Sequence, residues 1–318
     1  MKKLISVVCV MLMLLSLTAC GAPADDGKYT IGICQLITHD ALDAATKGFQ
    51  DAVIAGLGEE NVTFDLQNAA GDSGTCASIA NAFVAAEVDL IMANATPALQ
   101  NAQAATADIP ILGTSVTEYG VALDIKDFNG VVGTNVSGTS DLAPLDEQAA
   151  MLQEWFPDAK NVGLLYCSAE PNSKYQVDTI KTLLEDMGYT CKMFAFTDSN
   201  DMPAVTNAAC EFSDVIYAPT DNTVASSVDI IDGICQPAGV PIIAGEEGIC
   251  AGCGVATLSI SYYDLGVATG KMAAKILTGA ADIETMPIAY AENFTKKYNK
   301  ELCEELGLTP PEGYEAIA

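Results

Sequence analysis

The carboxylate best placed to hold a cation is Asp221, in the run Tyr217-Ala218-Pro219-Thr220-Asp221-Asn222-Thr223. A β-rich stretch, 214–217, stops at a proline, and a helical pattern begins at Thr220, Asp221 or Asn222 and reaches about Cys235. An anionic side chain is thereby set at the carboxyl end of a strand, where open α/β sheets bind their ligands. The competing use is capping, because Asp and Asn lead the N-cap preferences. Glu246 and Glu247 are adjacent carboxylates with acid–base potential, although neighbours on a loop point in different directions. His39 is the only histidine and hence the only imidazole base. Cys250-Ala251-Gly252-Cys253 has the two-residue spacing of a zinc or redox pair, but no second pair shares it and His39 is distant in sequence. No metal and no cofactor are expected. A P-loop, a G-x-G-x-x-G turn after a strand and a G-x-S-x-G elbow are all missing, so no enzyme signature is present.

The elements that must position these groups alternate along the chain. Strand patterns at 29–35, 62–67, 88–93, 109–113 and 130–133 are separated by helical patterns at 41–55, 76–86 and 97–105. From 141 the rhythm restarts, with helices at 144–156, up to 187 and at 203–210 around strands at 161–166 and 190–196. The Asp221 stretch follows, then strands at 240–244 and 255–260 joined by a glycine-rich loop, a helix at 262–277 and a last helix at 297–306. Such a βαβα order predicts an α/β protein with two doubly wound parallel-sheet lobes. Functional positions are then the loops after the strands, 35–39, 93–97, 113–118, 168–173, 218–223 and 245–247. Nearly all carry hydroxyls, amides or carboxylates.

Residues 1–19 stand apart. Lys2 and Lys3 precede an apolar run, 4–17, that ends in small residues, the pattern of a secretory signal and too short for a membrane span. Leu17-Thr18-Ala19-Cys20-Gly21 resembles a bacterial lipobox, which implies cleavage before Cys20 and acylation of it. Residues 20–28 then form a lipidated tether. The formal charge of the 318-residue chain is −28, and losing Lys2 and Lys3 takes it to −30. A chain so acidic repels nucleic acid and anionic lipid. All 14 basic residues are lysine; a bound anion must be held without a guanidinium fork, by lysine, hydroxyls or backbone N–H groups at helix N-termini. Nine cysteines remain after Cys9 and Cys20. An odd number cannot all pair, and several lie in apolar runs, so mostly free, buried thiols are expected.

Ile31-Gly32-Ile33-Cys34-Gln35 with His39 and Ala41-Leu42-Asp43-Ala44, then Ala95-Thr96-Pro97-Ala98, Ser140-Asp141-Leu142-Ala143-Pro144, Pro219-Thr220-Asp221-Asn222-Thr223-Val224, and Tyr262-Tyr263-Asp264-Leu265-Gly266 with Gly270-Lys271-Met272-Ala273, occur in one order. As a set, they resemble the solute-binding lipoprotein family of ABC transporters whose studied members take tryptophan or tyrosine. The resemblance implies a type I periplasmic-binding-protein fold with three crossings between lobes, near 136–140, 259–261 and 281–287. Residues 29–138 plus 261–281 would form the N-terminal lobe and 139–260 plus 282–318 the C-terminal lobe. It further implies an exported, lipid-anchored monomer that closes over an amino acid, with an aromatic one favoured, and hands it to a cognate permease and ATPase. Asp221, with Glu246, would face the ammonium; Thr96, Thr114, Ser115 and Ser173 would face the carboxylate; Gln35, His39, Asn172 and Asn222 would line the pocket. The chain departs from the family pattern at Glu246, at Ser168-Ala169 and at the Cys250/Cys253 spacing. Alternatives are a sugar or nucleoside ligand on the same fold, an adhesive or signalling lipoprotein, and a two-lobed enzyme using His39 and the Glu246-Glu247 pair.

Overall fold

The computed structural model describes residues 28–291 and 293–317; the signal, most of the tether and Cys20 lie outside them. The chain forms two α/β lobes. The first contains β1 (Tyr29–Gln35), α1 (Asp40–Leu57), β2 (Val62–Asn68), α2 (Ser73–Ala85), β3 (Leu90–Asn94), α3 (Thr96–Ala105), β4 (Ile111–Val116), α4 (Tyr119–Ala122) and β5 (Val136–Ser140). The second contains α5 (Leu145–Trp155), β6 (Asn161–Cys167), α6 (Pro171–Asp186), β7 (Thr190–Phe196), α7 (Met202–Phe212), β8 (Val215–Ala218), α8 (Asn222–Ala225), α9 (Val228–Ala238), β9 (Ile242–Ala244), α10 (Glu247–Cys253) and β10 (Ala256–Ser259). After these come α11 (Tyr262–Leu277), β11 (Ala289–Tyr290), β12 (Thr295–Tyr298), α12 (Lys300–Glu305) and β13 (Glu315–Ala316).

The first sheet has the order β11-β5-β4-β3-β1-β2 and the second β13-β12-β10-β9-β8-β6-β7. Most neighbours are parallel, and β10–β12 is an antiparallel pair. The central strands are apolar on both faces because helices cover both. In the first lobe Ile31 and Ile33 pack with Phe49 and Val53 on one side, while Cys34 and Ile91 pack with Cys76 and Phe83 on the other. Leu164 and Tyr217, and on the opposite side Leu165 and Ile216, do the same in the second lobe. No helix among the described residues is long and apolar enough to cross a membrane.

Helix α11 comes late in the chain but belongs to the first lobe. A Cβ on Gly48 would strike the backbone carbonyl of Tyr263, and one on Gly266 the carbonyl of Ala45. Only glycine lets α1 and α11 approach so closely, and the seam fixes both N-termini, His39 and Ser261–Tyr262, at the space between the lobes.

The sequence-based expectation differs in several places. The last strand of the first lobe before the crossing is 136–140, not 130–133. Gly130 and Gly133 adopt positive φ in an irregular stretch instead. The helical pattern after Asp221 breaks at Ser226–Ser227 into α8 and α9, and part of the glycine-rich loop is α10. Lys297 and Tyr298, expected to begin a helix, pair instead with β10 as part of β12. The division at 281/282 also falls early, because β11 still pairs with β5 and Ile283 packs in the first-lobe core with Phe49 and Leu112.

Candidate functional site between the lobes

The carboxyl ends of both sheets meet in an enclosed cavity. His39, Leu42, Ser115, Thr117, Asp141 and Tyr262 border it from the first lobe and the crossing segments; Asn172, Thr220, Asp221, Asn222, Ala225 and Glu246 border it from the second. The space between them is about 10 Å³, room for roughly one water.

Local structure explains how each group arrives there. The β4–β5 ladder shifts register between Gly113 and Val116, and Ser115 sits at φ 53; the bulge re-aims its side chain, as bulges do beside functional sites. Asp141 follows β5 directly and accepts a 3.0 Å hydrogen bond at Oδ2 from the hydroxyl of Tyr262, which stands just after another crossing. Asn172 lies in the first turn of α6. Asp221 and Glu246 are the N-caps of α8 and α10: Asp221 accepts from the Val224 N–H at 2.9 Å and the Cys167 N–H at 2.7 Å, and Glu246 from the Gly248 and Ile249 N–H groups at 2.7 and 2.6 Å. Of the three candidate helix starts, Thr220, Asp221 and Asn222, Asp221 is the cap, and it also borders the cavity. Helices α1 and α6, longer than these two, have no side-chain hydrogen bond at their N-caps, His39 and Glu170.

The electrostatics are one-sided. Among the described residues three carboxylates and no lysine line the cavity. Burial pushes the Asp141 carboxyl up to about 6, Glu246 up to about 7, and Asp221, with Glu170 adding repulsion, up to about 8. The same burial lowers His39. Three buried polar atoms on the cavity wall, Ser115 Oγ, Asp141 Oδ1 and Asn172 Oδ1, have no partner in hydrogen-bond geometry, although the Thr117 hydroxyl stands near enough to the Asp141 carboxyl to hold it down somewhat. Each such orphan costs about 1–3 kcal/mol in a folded protein, so three around one space is the mark of a site that an incoming molecule completes.

Of the ten residues expected at the site, His39, Ser115, Asn172, Asp221, Asn222 and Glu246 reach the cavity. Gln35, Thr96, Thr114 and Ser173 are buried but do not line it. Gln35 is used internally, donating to Asp43 at 2.6 Å and accepting from Thr46 at 2.6 Å. Thr114 joins Thr139 and Thr269 in a hydroxyl chain at 3.2 and 2.8 Å. Ser173 supports Asp221 from behind, and Thr96 is buried at the start of α3. Asp141, Tyr262 and Thr117 were not named as site residues, though the first two stand in quoted motifs beside the crossings and Thr117 lies in the loop 113–118 expected to be functional. Glu247 lies outside the cavity, paired with Lys297 at 2.7 Å. Cys250 and Cys253 are buried free thiols, and no cluster of metal-ligating side chains occurs among the described residues.

The profile of a family described as ABC transporter substrate binding protein matches residues 30–318. A tyrosine-binding protein of Clostridioides difficile (strain R20291) is 38% identical over 251 residues, covering 78% of this chain and 72% of that protein. An ABC domain from Streptococcus pneumoniae in complex with L-Trp superposes with a TM-score of 0.86 at 32% identity, over 91% of this chain and 100% of that one. The ligand-free, open structure of a substrate binding protein with adhesive properties from Clostridium difficile gives a TM-score of 0.69 at 38% identity, over 91% and 99%. The more identical of the two chains thus gives the lower TM-score.

Proposed function

Because the chain belongs to the ABC transporter substrate-binding protein family, we propose that it is a lipid-anchored extracytoplasmic receptor that closes its lobes on one amino acid, aromatic by preference, for import. The observation that carries this reading is the trio of unpartnered polar atoms, Ser115 Oγ, Asp141 Oδ1 and Asn172 Oδ1, around a cavity lined by acids. An ammonium supplies three donors and a positive charge. It fits Asp141 best, because Asp141 has a free acceptor oxygen whereas Asp221 and Glu246 each use their oxygens on backbone N–H groups. The ligand carboxylate falls to the Ser115 and Thr117 hydroxyls and to helix N-termini left without side-chain caps, whose dipoles favour an anion. Leu42, Ala225, His39 and the Tyr262 ring are the walls for a side chain.

A cavity of about 10 Å³ is far below the few hundred Å³ that a small ligand occupies. Binding therefore requires the lobes to part and reclose, a hinge motion at the crossings. The relatives that bind L-Trp or tyrosine favour an aromatic amino acid over a sugar, and Trp155, the sole tryptophan, packs against Tyr314 away from the cavity. Isothermal titration of the mature chain against the amino acids tests the ligand class, with heat expected for L-tryptophan or L-tyrosine and silence across the set overturning it. Membrane fractionation of Cys20→Ser tests the anchor, with loss of membrane association expected.

A further inference from the structure

We infer that Glu170 is a positioning residue that makes lobe closure and ligand contact depend on each other, by turning Asn172 toward the ligand cavity and Asn222 toward His39 of the opposite lobe. Glu170 is the N-cap residue of α6, yet its carboxylate caps nothing in that helix. It is 5% exposed, and none of the ion pairs among the described residues involves it. Its oxygens instead take five donors. Oε2 accepts from the Asn222 N–H at 3.0 Å, the Asn222 side-chain amide at 2.7 Å and the Asn172 side-chain amide at 3.2 Å. Oε1 accepts from the Thr223 N–H at 2.9 Å and the Thr223 hydroxyl at 2.8 Å.

An ionised carboxylate only accepts. It therefore draws the NH₂ ends of both asparagines to itself and leaves both carbonyl oxygens pointing away. Those two oxygens have different tasks. Asn172 Oδ1 is a buried, unpartnered acceptor on the cavity wall. Asn222 Oδ1 lies 3.3 Å from His39 Nε2, a contact between the N-cap of α1 in the first lobe and the first residue of α8 in the second. Opening the cleft breaks this contact, and closing restores it only if the amide is already oriented. One carboxylate sets both amides, so disturbing it affects the ligand acceptor and the closing latch together.

The inference rests on the reading of the cleft as an amino acid site. His39 is the only histidine, so its ring gives a single imidazole signal in NMR that reports the latch directly. The experiment follows that signal and L-tryptophan or L-tyrosine affinity in wild type, Glu170→Gln, Asn222→Ala and the double variant, with thermal melts to verify folding. Glutamine offers one accepting oxygen and adds donors of its own, so Glu170→Gln should weaken binding about tenfold or more and shift the ligand-saturated His39 signal. Asn222→Ala, which leaves Glu170 its other donors, should shift the His39 signal and weaken binding less, and the double variant should match Glu170→Gln because both act on one contact. Wild-type affinity and His39 signal in Glu170→Gln, or additive losses in the double variant, overturn the inference. If the wild type binds neither amino acid, the ligand reading falls, and the latch is judged on the ligand-free His39 signal: a shift in Asn222→Ala and Glu170→Gln supports it, and no shift overturns it.

Discussion

Replacing Asp141 by asparagine should move stability and binding in opposite directions. Burial raises this carboxyl from 3.8 to about 6, roughly 2 pK units at about 1.4 kcal/mol each, so keeping it ionised costs the ligand-free protein about 3 kcal/mol at pH 7. The sign follows from the raised value: the favourable contribution is complete below the unfolded value of 3.8, declines as pH rises and is gone above 6. A neutral amide carries no such cost, so Asp141→Asn should melt several degrees higher at pH 7 and gain little at pH 4. Binding should suffer, because an ammonium loses a buried anionic partner, a change worth about 2–5 kcal/mol or roughly 30-fold to several thousand-fold in Kd. Wild-type affinity should also fall about tenfold per pH unit below pH 6, as the carboxyl must give up its proton to pair, and the variant should lack that slope. Calorimetric titration and melting across pH 4 to 7 measure all of these quantities. Unchanged affinity in Asp141→Asn, or a lower melting temperature without weaker binding, would refute the assignment.

Other consequences are simpler. Asp221→Asn should weaken binding, because it disturbs the α8 cap and the Cys167 N–H contact at the cavity wall; calorimetric titration checks it. Gly48→Ala or Gly266→Ala should cost about 1–3 kcal/mol, since the new methyl meets backbone that cannot rotate aside; chemical denaturation reads it. Among the nine described cysteines only Cys191 and Cys210 are not buried, so mass-mapped alkylation of the native protein should favour those two and reach all nine after denaturation.

Most of the fold was legible because strand and helix periods alternate cleanly and buried parallel strands read as apolar runs, as at Ile31 to Cys34 and Val162 to Leu165. The candidate site was legible in the loops after strands that were placed correctly, as for Asp221, Asn222 and Glu246, and not after β5, which was expected at 130–133. It failed where a polar residue near a strand end is consumed by partners distant in sequence. Gln35 looks like a cleft residue until Thr46 and Asp43 from α1 are brought to it, and Thr114 until Thr139 and Thr269 arrive. Asp141 was hidden for the opposite reason: its role depends on Tyr262, 121 residues away beside another crossing, and on a carboxylate oxygen left without a partner. The short strand β12, between β13 and β10, was misread because Lys296 and Lys297 carry little strand preference, and pairing with β10 decides their conformation.

The glycine seam between α1 and α11 also sets a timetable for synthesis. Helix α1 starts at Asp40 and its partner at Tyr262, so at about 5–20 residues per second the first waits roughly 10–45 s for the second to be made. β5 waits less, roughly 7–30 s, for β11 as its edge neighbour. Most of the second lobe is translated before the first can close its core, and a chain cut at residue 260 would hold a second lobe lacking β12, α12 and β13 beside a first lobe whose α1 surface, with Ala45 and Gly48, stays bare.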